Sequence, residues 1–163
     1  MNMDLMLRRK WTFRAHGKQM VLVKKRNEQS AHVFMKAFVW ALYLPQFPTL
    51  TIEIGIGGRY KPDVVALDPK GHPLFWGEAG HIGTSKLRAL VRRYGSTHFA
   101  IAKWDSPLKP FEGMIQSALK GTQRDSPVDL LRFPRDSVKR FMDEAGTIHL
   151  SHNDLEWIRI GSV

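Results

Sequence analysis

Cysteine is absent from the chain's 163 residues, so disulfides, thiolate metal sites and a thiol nucleophile are all excluded. The lack fits a reducing compartment, and a cytoplasmic protein is the expectation. Long apolar runs are missing too. The longest, Val33 to Leu44, is broken by Lys36 and is too short to cross a bilayer. Met1 to Met6 lacks the apolar core of a secretion signal, and no membrane partner is expected. There are no repeats, low-complexity tracts or linker-like stretches, which predicts one domain over residues 1–163.

Several chemistries lack their signatures. The seven histidines include no His-Glu-x-x-His and no compact His/Asp cluster, so nothing points to zinc. Ser85 and Ser96 have no nucleophile-elbow context. Gly55-Ile56-Gly57-Gly58 misses both the dinucleotide fingerprint and the P-loop, and it leads into a strand where those motifs open a helix. It reads as a turn, and no small-molecule organic cofactor is expected.

Acid is in short supply. Asp and Glu total 15 against 25 Lys and Arg, a formal charge of +10. Such a surplus favours a polyanion, DNA or RNA, as partner, because phosphate contacts release condensed counterions. Charge kept only for solubility is the plainer alternative. The positives gather at Arg8-Arg9-Lys10, Lys24-Lys25-Arg26, Arg59-Tyr60-Lys61 and Lys86-Leu87-Arg88 with Arg92-Arg93.

Hydrophobic residues make up 43% of the chain, enough for a globular core. Lys10 to Ala15 and Gln19 to Lys25 read as a hairpin around His16-Gly17-Lys18. Asn27 is a suitable N-cap and Glu28 a suitable first helical residue for a helix ending before Pro45. That helix is apolar on nearly every side and should lie under a sheet. Strands follow at Leu50 to Ile54, Lys61 to Leu67 and Leu74 to Ala79. A helix with Leu87, Leu90, Val91 and Tyr94 on one stripe precedes a strand at Thr97 to Trp104. Pro110 opens a further helix. A strand at Val128 to Phe133, a helix from Ser137 to Ala145 and a closing hairpin of Thr147 to Leu150 with Leu155 to Ile160 complete the pattern. The core order is helix, three strands, helix, strand, and implies an α/β fold with a mixed central sheet between terminal β-hairpins.

Asp63 and Glu78 stand out within that pattern. A short turn, Asp68-Pro69-Lys70-Gly71-His72, separates their strands, so antiparallel pairing would set the start of one beside the end of the other. Two carboxylates plus substrate oxygens make a site for Mg²⁺ or Mn²⁺. Asp63 has a second reading as a turn cap after Pro62. Glu78 lies in a segment that should be buried, where a carboxylate needs a metal or an arginine partner. Lys86 sits in the first turn of its helix and can reach back over Gly80. Arg88 and Arg92 share a helix face as a phosphate rail or a solvated surface. Glu28 is a possible third acid, and His81 a possible general acid or base.

Pro62-Asp63, then Glu78-x-Gly80, then a basic helix resembles the PD-(D/E)XK nuclease-like superfamily. There the lysine follows two residues after the acid, so with Gly80 in that place its role would pass to Lys86. More narrowly, the chain resembles the YaeQ family. The likeness runs through the opening hairpin, Glu28, Trp40 and Tyr43 on the first helix, Pro62-Asp63, Trp76-Gly77-Glu78-Ala79-Gly80 and the end near Trp157. The resemblance implies a restriction-endonuclease-like core and nuclease-like chemistry with Asp63, Glu78 and Lys86 as catalytic residues.

Three functions follow as expectations. The first is a metal-dependent nuclease, with Arg59, Lys61, Arg88 and Arg92 following the phosphate backbone without reading sequence. The second is a nucleic-acid-binding module without chemistry. The third is a scaffold for an acidic protein partner.

Overall fold

The structure, a computed structural model, describes residues 10–161. Of the four basic clusters, Arg8 and Arg9 lie outside the described residues. Strands β1 (Lys10–Ala15) and β2 (Lys18–Val23) form an antiparallel hairpin. His16 and Gly17 turn it with φ of 52° and 75°, the double left-handed geometry that matches strand twist.

Helix α1 (Ser30–Tyr43) follows. It contains no glycine or proline, and its last turn closes where the Leu44 N–H donates to the Trp40 carbonyl, just ahead of Pro45. Its start corrects the sequence reading. Gln29, not Asn27, is the N-cap, and Glu28 lies in a turn before the helix. The reason is local. Glu28 accepts a hydrogen bond from the Lys25 N–H, and its carboxylate is drawn onto Lys36 and His32, so its backbone stays outside the first turn.

The central sheet holds β3 (Thr51–Ile52), β4 (Val64–Leu67), β5 (Pro73–Ala79), β6 (His98–Trp104), β7 (Val128–Phe133) and β8 (Glu156–Ile160), in that order. The pairs β5–β6 and β6–β7 are parallel and the others antiparallel. Parallel neighbours need crossovers, which α2 (Thr84–Arg93) and α3 (Lys109–Leu119) supply. The architecture is therefore mixed α/β, with the hairpin as a separate two-stranded sheet.

Helix α1 is buried on both sides. Trp11 and Phe13 of the hairpin meet Phe34, with ring centroids 4.9 and 6.1 Å apart, while Phe38 reaches Phe133 of the sheet at 5.5 Å. The opposite sheet face carries Trp76, Phe99, Ile101, Val128 and Leu130 against Leu87, Leu90 and Val91 of α2 and Ile115 of α3. Gly77 allows close packing, since a Cβ there would sit 3.1 Å from Val39 of α1.

The closing hairpin expected from the sequence does not form. The Ile148 N–H donates to Arg14, and bridges join Thr147 to Arg14 and Ile148 to Met142. A single turn at His152–Asp154, capped through Ser151 and Asp154, then redirects the chain so that β8 pairs with β7. The helix from Ser137 also ends at Phe141, short of Ala145, because Met142 is extended. No helix of the described residues is long and apolar enough to cross a membrane.

Candidate functional site

Asp63, just ahead of β4, comes opposite Glu78 of β5. The register pairs Val64 with Gly77, and the Asp63 N–H donates to the Gly77 carbonyl at 3.1 Å. The paired register stops at Val64, and Pro62, without an N–H, cannot extend it. The Asp63 Oδ2 then accepts the Ala79 N–H at 2.8 Å, doing for that donor what a strand carbonyl would have done.

Glu78 is buried, on the same sheet face as Trp76. Its Oε1 accepts from Trp76 Nε1 at 3.0 Å and pairs with Lys86 Nζ at 2.9 Å. Burial first, and then the Asp63 charge, push the Glu78 pKa up against the pull of Lys86 and Trp76. The Asp63 charge adds to the cost of ionising Glu78, which the Lys86 pair offsets only in part. Lys86 thus reaches Glu78 itself.

Gly80 explains its own identity. Its φ is +87°, in the left-handed region, so any side chain there is strained although space for a Cβ exists. The neighbouring parallel strand supplies a lysine near that place instead. Lys103 Nζ donates to the Gly80 carbonyl at 2.8 Å.

Of a second layer, from α1 and the loops around it, the sequence reading caught only Glu28, the possible third acid, and missed His32, Lys36 and Glu53. His32 Nδ1 is 2.5 Å from Glu28 Oε2, and its Nε2 faces Asp63 Oδ2 at 3.6 Å. Asp63 and then Glu28 raise the His32 pKa above its ordinary value, against burial, so the ring leans to the cationic form. Burial alone would raise the pKa of Asp63, but His32 and the Ala79 amide outweigh it and hold the carboxyl ionised. Glu28 is likewise lowered overall, because Lys36, the Lys25 amide and His32 overcome burial.

Lys36, one helical turn after His32, is fully buried and pairs with Glu28 at 2.6 Å and with Glu53. Glu53 has φ of 59°, a strained setting held by its N–H on the Asp63 carbonyl and its carboxylate on Lys36. The one available signal was Lys36 itself, a lysine in the middle of an apolar helix.

The remaining candidates lie further out. His81 is exposed at a cleft and makes no hydrogen bond to a described residue. Arg88 and Arg92 are exposed on α2, where with Thr84, Ser85 and Ala89 they line a hollow of about 340 Å³. Arg59 is exposed, its guanidinium 5.2 Å from the Tyr60 ring centroid, and Lys61 is exposed close by in sequence. Tyr60 also faces the Lys86 ammonium at 5.5 Å, so one ring contacts both Arg59 and the lysine paired with Glu78.

Among the described residues no three His, Cys, Asp or Glu side chains form a group placed to hold a metal. A four-ligand zinc site is therefore not built here. Two carboxylates do fit Mg²⁺ or Mn²⁺, ions that keep several waters and take few protein ligands. Asp63 Oδ1 and Glu78 Oε2 accept no hydrogen bond from a described residue.

Comparison with known structures places the fold beside that of YaeQ proteins. The YaeQ protein from Pseudomonas syringae aligns with 83% of this chain and 72% of its own, at TM-score 0.60 and 16% identity. The YaeQ protein from Xanthomonas axonopodis pv. citri aligns with 76% of this chain and 72% of its own, at TM-score 0.53 and 16% identity. At this identity the likeness is one of fold. No family model matches the chain, and no curated protein matches it.

Proposed function

We propose that the chain is a metal-dependent phosphodiesterase acting on nucleic acid with little sequence preference, built on a restriction-endonuclease-like core of the PD-(D/E)XK type. The reading rests on one observation: two carboxylates, Asp63 just ahead of β4 and Glu78 on β5, come opposite one another in the strand register, with Lys86 paired to Glu78. Asp63 and Glu78 would hold Mg²⁺ or Mn²⁺. When bound, such an ion lowers the pKa of a water and offsets phosphate charge.

The chain's own residues supply the rest. His32 keeps Asp63 ionised, and Trp76 fixes one oxygen of Glu78. Lys86, at the edge of this acid, would donate to a phosphate oxygen. Arg59, Lys61, Arg88 and Arg92 contact the strand backbone and carry no base readout.

The test is calorimetric titration of Mg²⁺ and Mn²⁺ into wild type, Asp63→Ala and Glu78→Ala, followed by incubation with plasmid and single-stranded substrates. Metal binding and cleavage by the wild type, lost in both variants, are expected. Cleavage of equal rate by Asp63→Ala removes these residues from the chemistry.

A second reading, a nucleic-acid-binding module without turnover, draws support from the Lys86–Glu78 pair, which neutralises one acid already. It predicts salt-dependent binding that survives chelators and Asp63→Ala, with no product.

A further inference from the structure

Lys103 occupies an unusual position. It lies near the end of β6, is 5% exposed, and lines a cleft of about 710 Å³ between α1, the end of β5 and α3. Its Nζ donates to the Gly80 carbonyl at 2.8 Å and stands 4.0 Å from the Phe111 ring centroid. Among the described residues no carboxylate pairs with it. An ammonium has three donors, and a carbonyl and a ring face leave it short of a counter-charge. Burial lowers its pKa, as an ammonium lacking an anion requires.

The cleft's other charges are already matched. Glu28 lines it, but Lys36 and His32 hold its carboxylate. His32 in turn is committed to Glu28 and Asp63. What remains facing the space is one cation, the polar residues Asn27, Gln29 and His81, and an apolar wall of Met35, Trp104 and Phe111. The volume lies in the range of small-molecule sites, far above what a lone ion fills.

We propose that this cleft binds a phosphomonoester, with the Lys103 ammonium as its charge partner and the Phe111 and Trp104 side against its organic part. A phosphate offers several acceptor oxygens to an ammonium with spare donors and to the imidazole and amide of His81 and Asn27. The apolar wall takes a base or sugar, which makes a nucleotide or the phosphorylated end of a strand the fitting ligand class. This holds whether or not Asp63 and Glu78 hydrolyse anything.

The test uses the full chain in EDTA, so that it is separate from any metal-dependent cleavage. Binding of inorganic phosphate, AMP, and matched oligonucleotides with a 5′-phosphate or a 5′-hydroxyl is followed by calorimetry and phosphorus NMR. Lys103→Met, similar in volume and uncharged, is expected to weaken AMP binding roughly ten- to a hundredfold. It should melt no lower than wild type, since it removes a desolvated charge. AMP equal to the phosphorylated oligonucleotide assigns the site to free nucleotides, and tighter binding of the phosphorylated oligonucleotide assigns it to strand ends. No saturable binding of any phosphate probe to the wild type overturns the proposal, as does unchanged AMP binding by Lys103→Met. Should that variant not fold, reductive methylation of the wild type decides: AMP must protect Lys103, and equal labelling with and without it refutes the site.

Discussion

The Lys86 ammonium lies 2.9 Å from Glu78 Oε1, so a cation in the first turn of α2 is held by an acid of β5. The helix dipole disfavours a lysine there, and the pair compensates that cost. Glu78 remains strained electrostatically, because burial and the Asp63 charge raise its pKa despite Lys86. An acid whose folded pKa lies above its unfolded value costs stability while ionised and regains it as pH falls. Glu78→Gln, which keeps an acceptor for Trp76, should therefore raise stability near pH 7 by about 1 kcal/mol. The gap should close as pH falls towards the ordinary glutamate range. Thermal unfolding of both proteins across pH checks it, and a less stable Glu78→Gln at neutral pH contradicts it.

Lys36 predicts the opposite sign. It is fully buried and bridges Glu28 and Glu53, so its removal strands two partly buried carboxylates. Lys36→Met should cost roughly 3 kcal/mol, whereas Lys36→Met with Glu28→Gln and Glu53→Gln should recover much of the loss. Urea unfolding of the single and triple variants measures the coupling. Additive losses would mean that these charges do not act as a unit.

The acid pair was legible because strand alternation and a short turn constrain it. With five residues, Asp68 to His72, between the two strands, antiparallel pairing follows, and the burial of Glu78 follows from Leu74-Phe75-Trp76 before it. The layer behind the pair was not legible. Lys36 announced a partner by its place in an apolar helix, but Glu53 lies seventeen residues on, at a left-handed φ in a loop whose path no periodicity encodes. His32 joins Glu28 and Asp63 across a loop and a strand end that no helical or strand period ties to it. The C-terminal strand shows a different limit. Its alternation marks β8 as a strand but carries no information on which neighbour it joins, and β7 offered the longer match.

Gly80 bears on whether a lysine could be restored to the strand. At φ +87° a side chain costs about 1 kcal/mol or more, even with room for its Cβ. Gly80→Ala and Gly80→Lys should lose comparable stability, since the backbone and not the side chain sets the cost. Gly80→Lys should bring no gain in metal-dependent cleavage. Chemical denaturation and a plasmid-nicking assay test the two halves, and a stable, more active Gly80→Lys would refute the account.

Arg88 and Arg92 permit a quantitative test of nucleic-acid contact. Both are exposed on one face of α2 and share a hollow with Thr84 and Ser85. If each neutralises one phosphate, Arg88→Ala with Arg92→Ala should flatten the slope of log affinity against log salt by about 1.8 on duplex DNA. The loss should be alike across sequences, because phosphate contacts carry no base information. Fluorescence anisotropy over a salt series reads the slope, and an unchanged slope places the strand elsewhere.

Asp129 governs acid stability from within the sheet. It is fully buried and accepts from Tyr43 at 2.6 Å, His98 at 2.7 Å and Arg159 at 2.8 and 3.0 Å. Burial alone would raise its pKa, but these donors outweigh burial and lower it from 3.8 to about 2. A carboxyl depressed in the fold stabilises above its unfolded pKa and loses that contribution as pH falls through its folded one. Asp129 should thus contribute about 2 kcal/mol at neutral pH, declining between the values of 3.8 and about 2. Asp129→Asn keeps the shape yet leaves Arg159 and the His98 ring without their anion, and should cost roughly 3 kcal/mol at pH 7. The deficit should shrink as the solution is acidified through that window, because the wild type loses the same charge. Urea unfolding of both proteins from pH 7 down to about 2 decides the point, and a deficit independent of pH would assign the loss to packing rather than to charge.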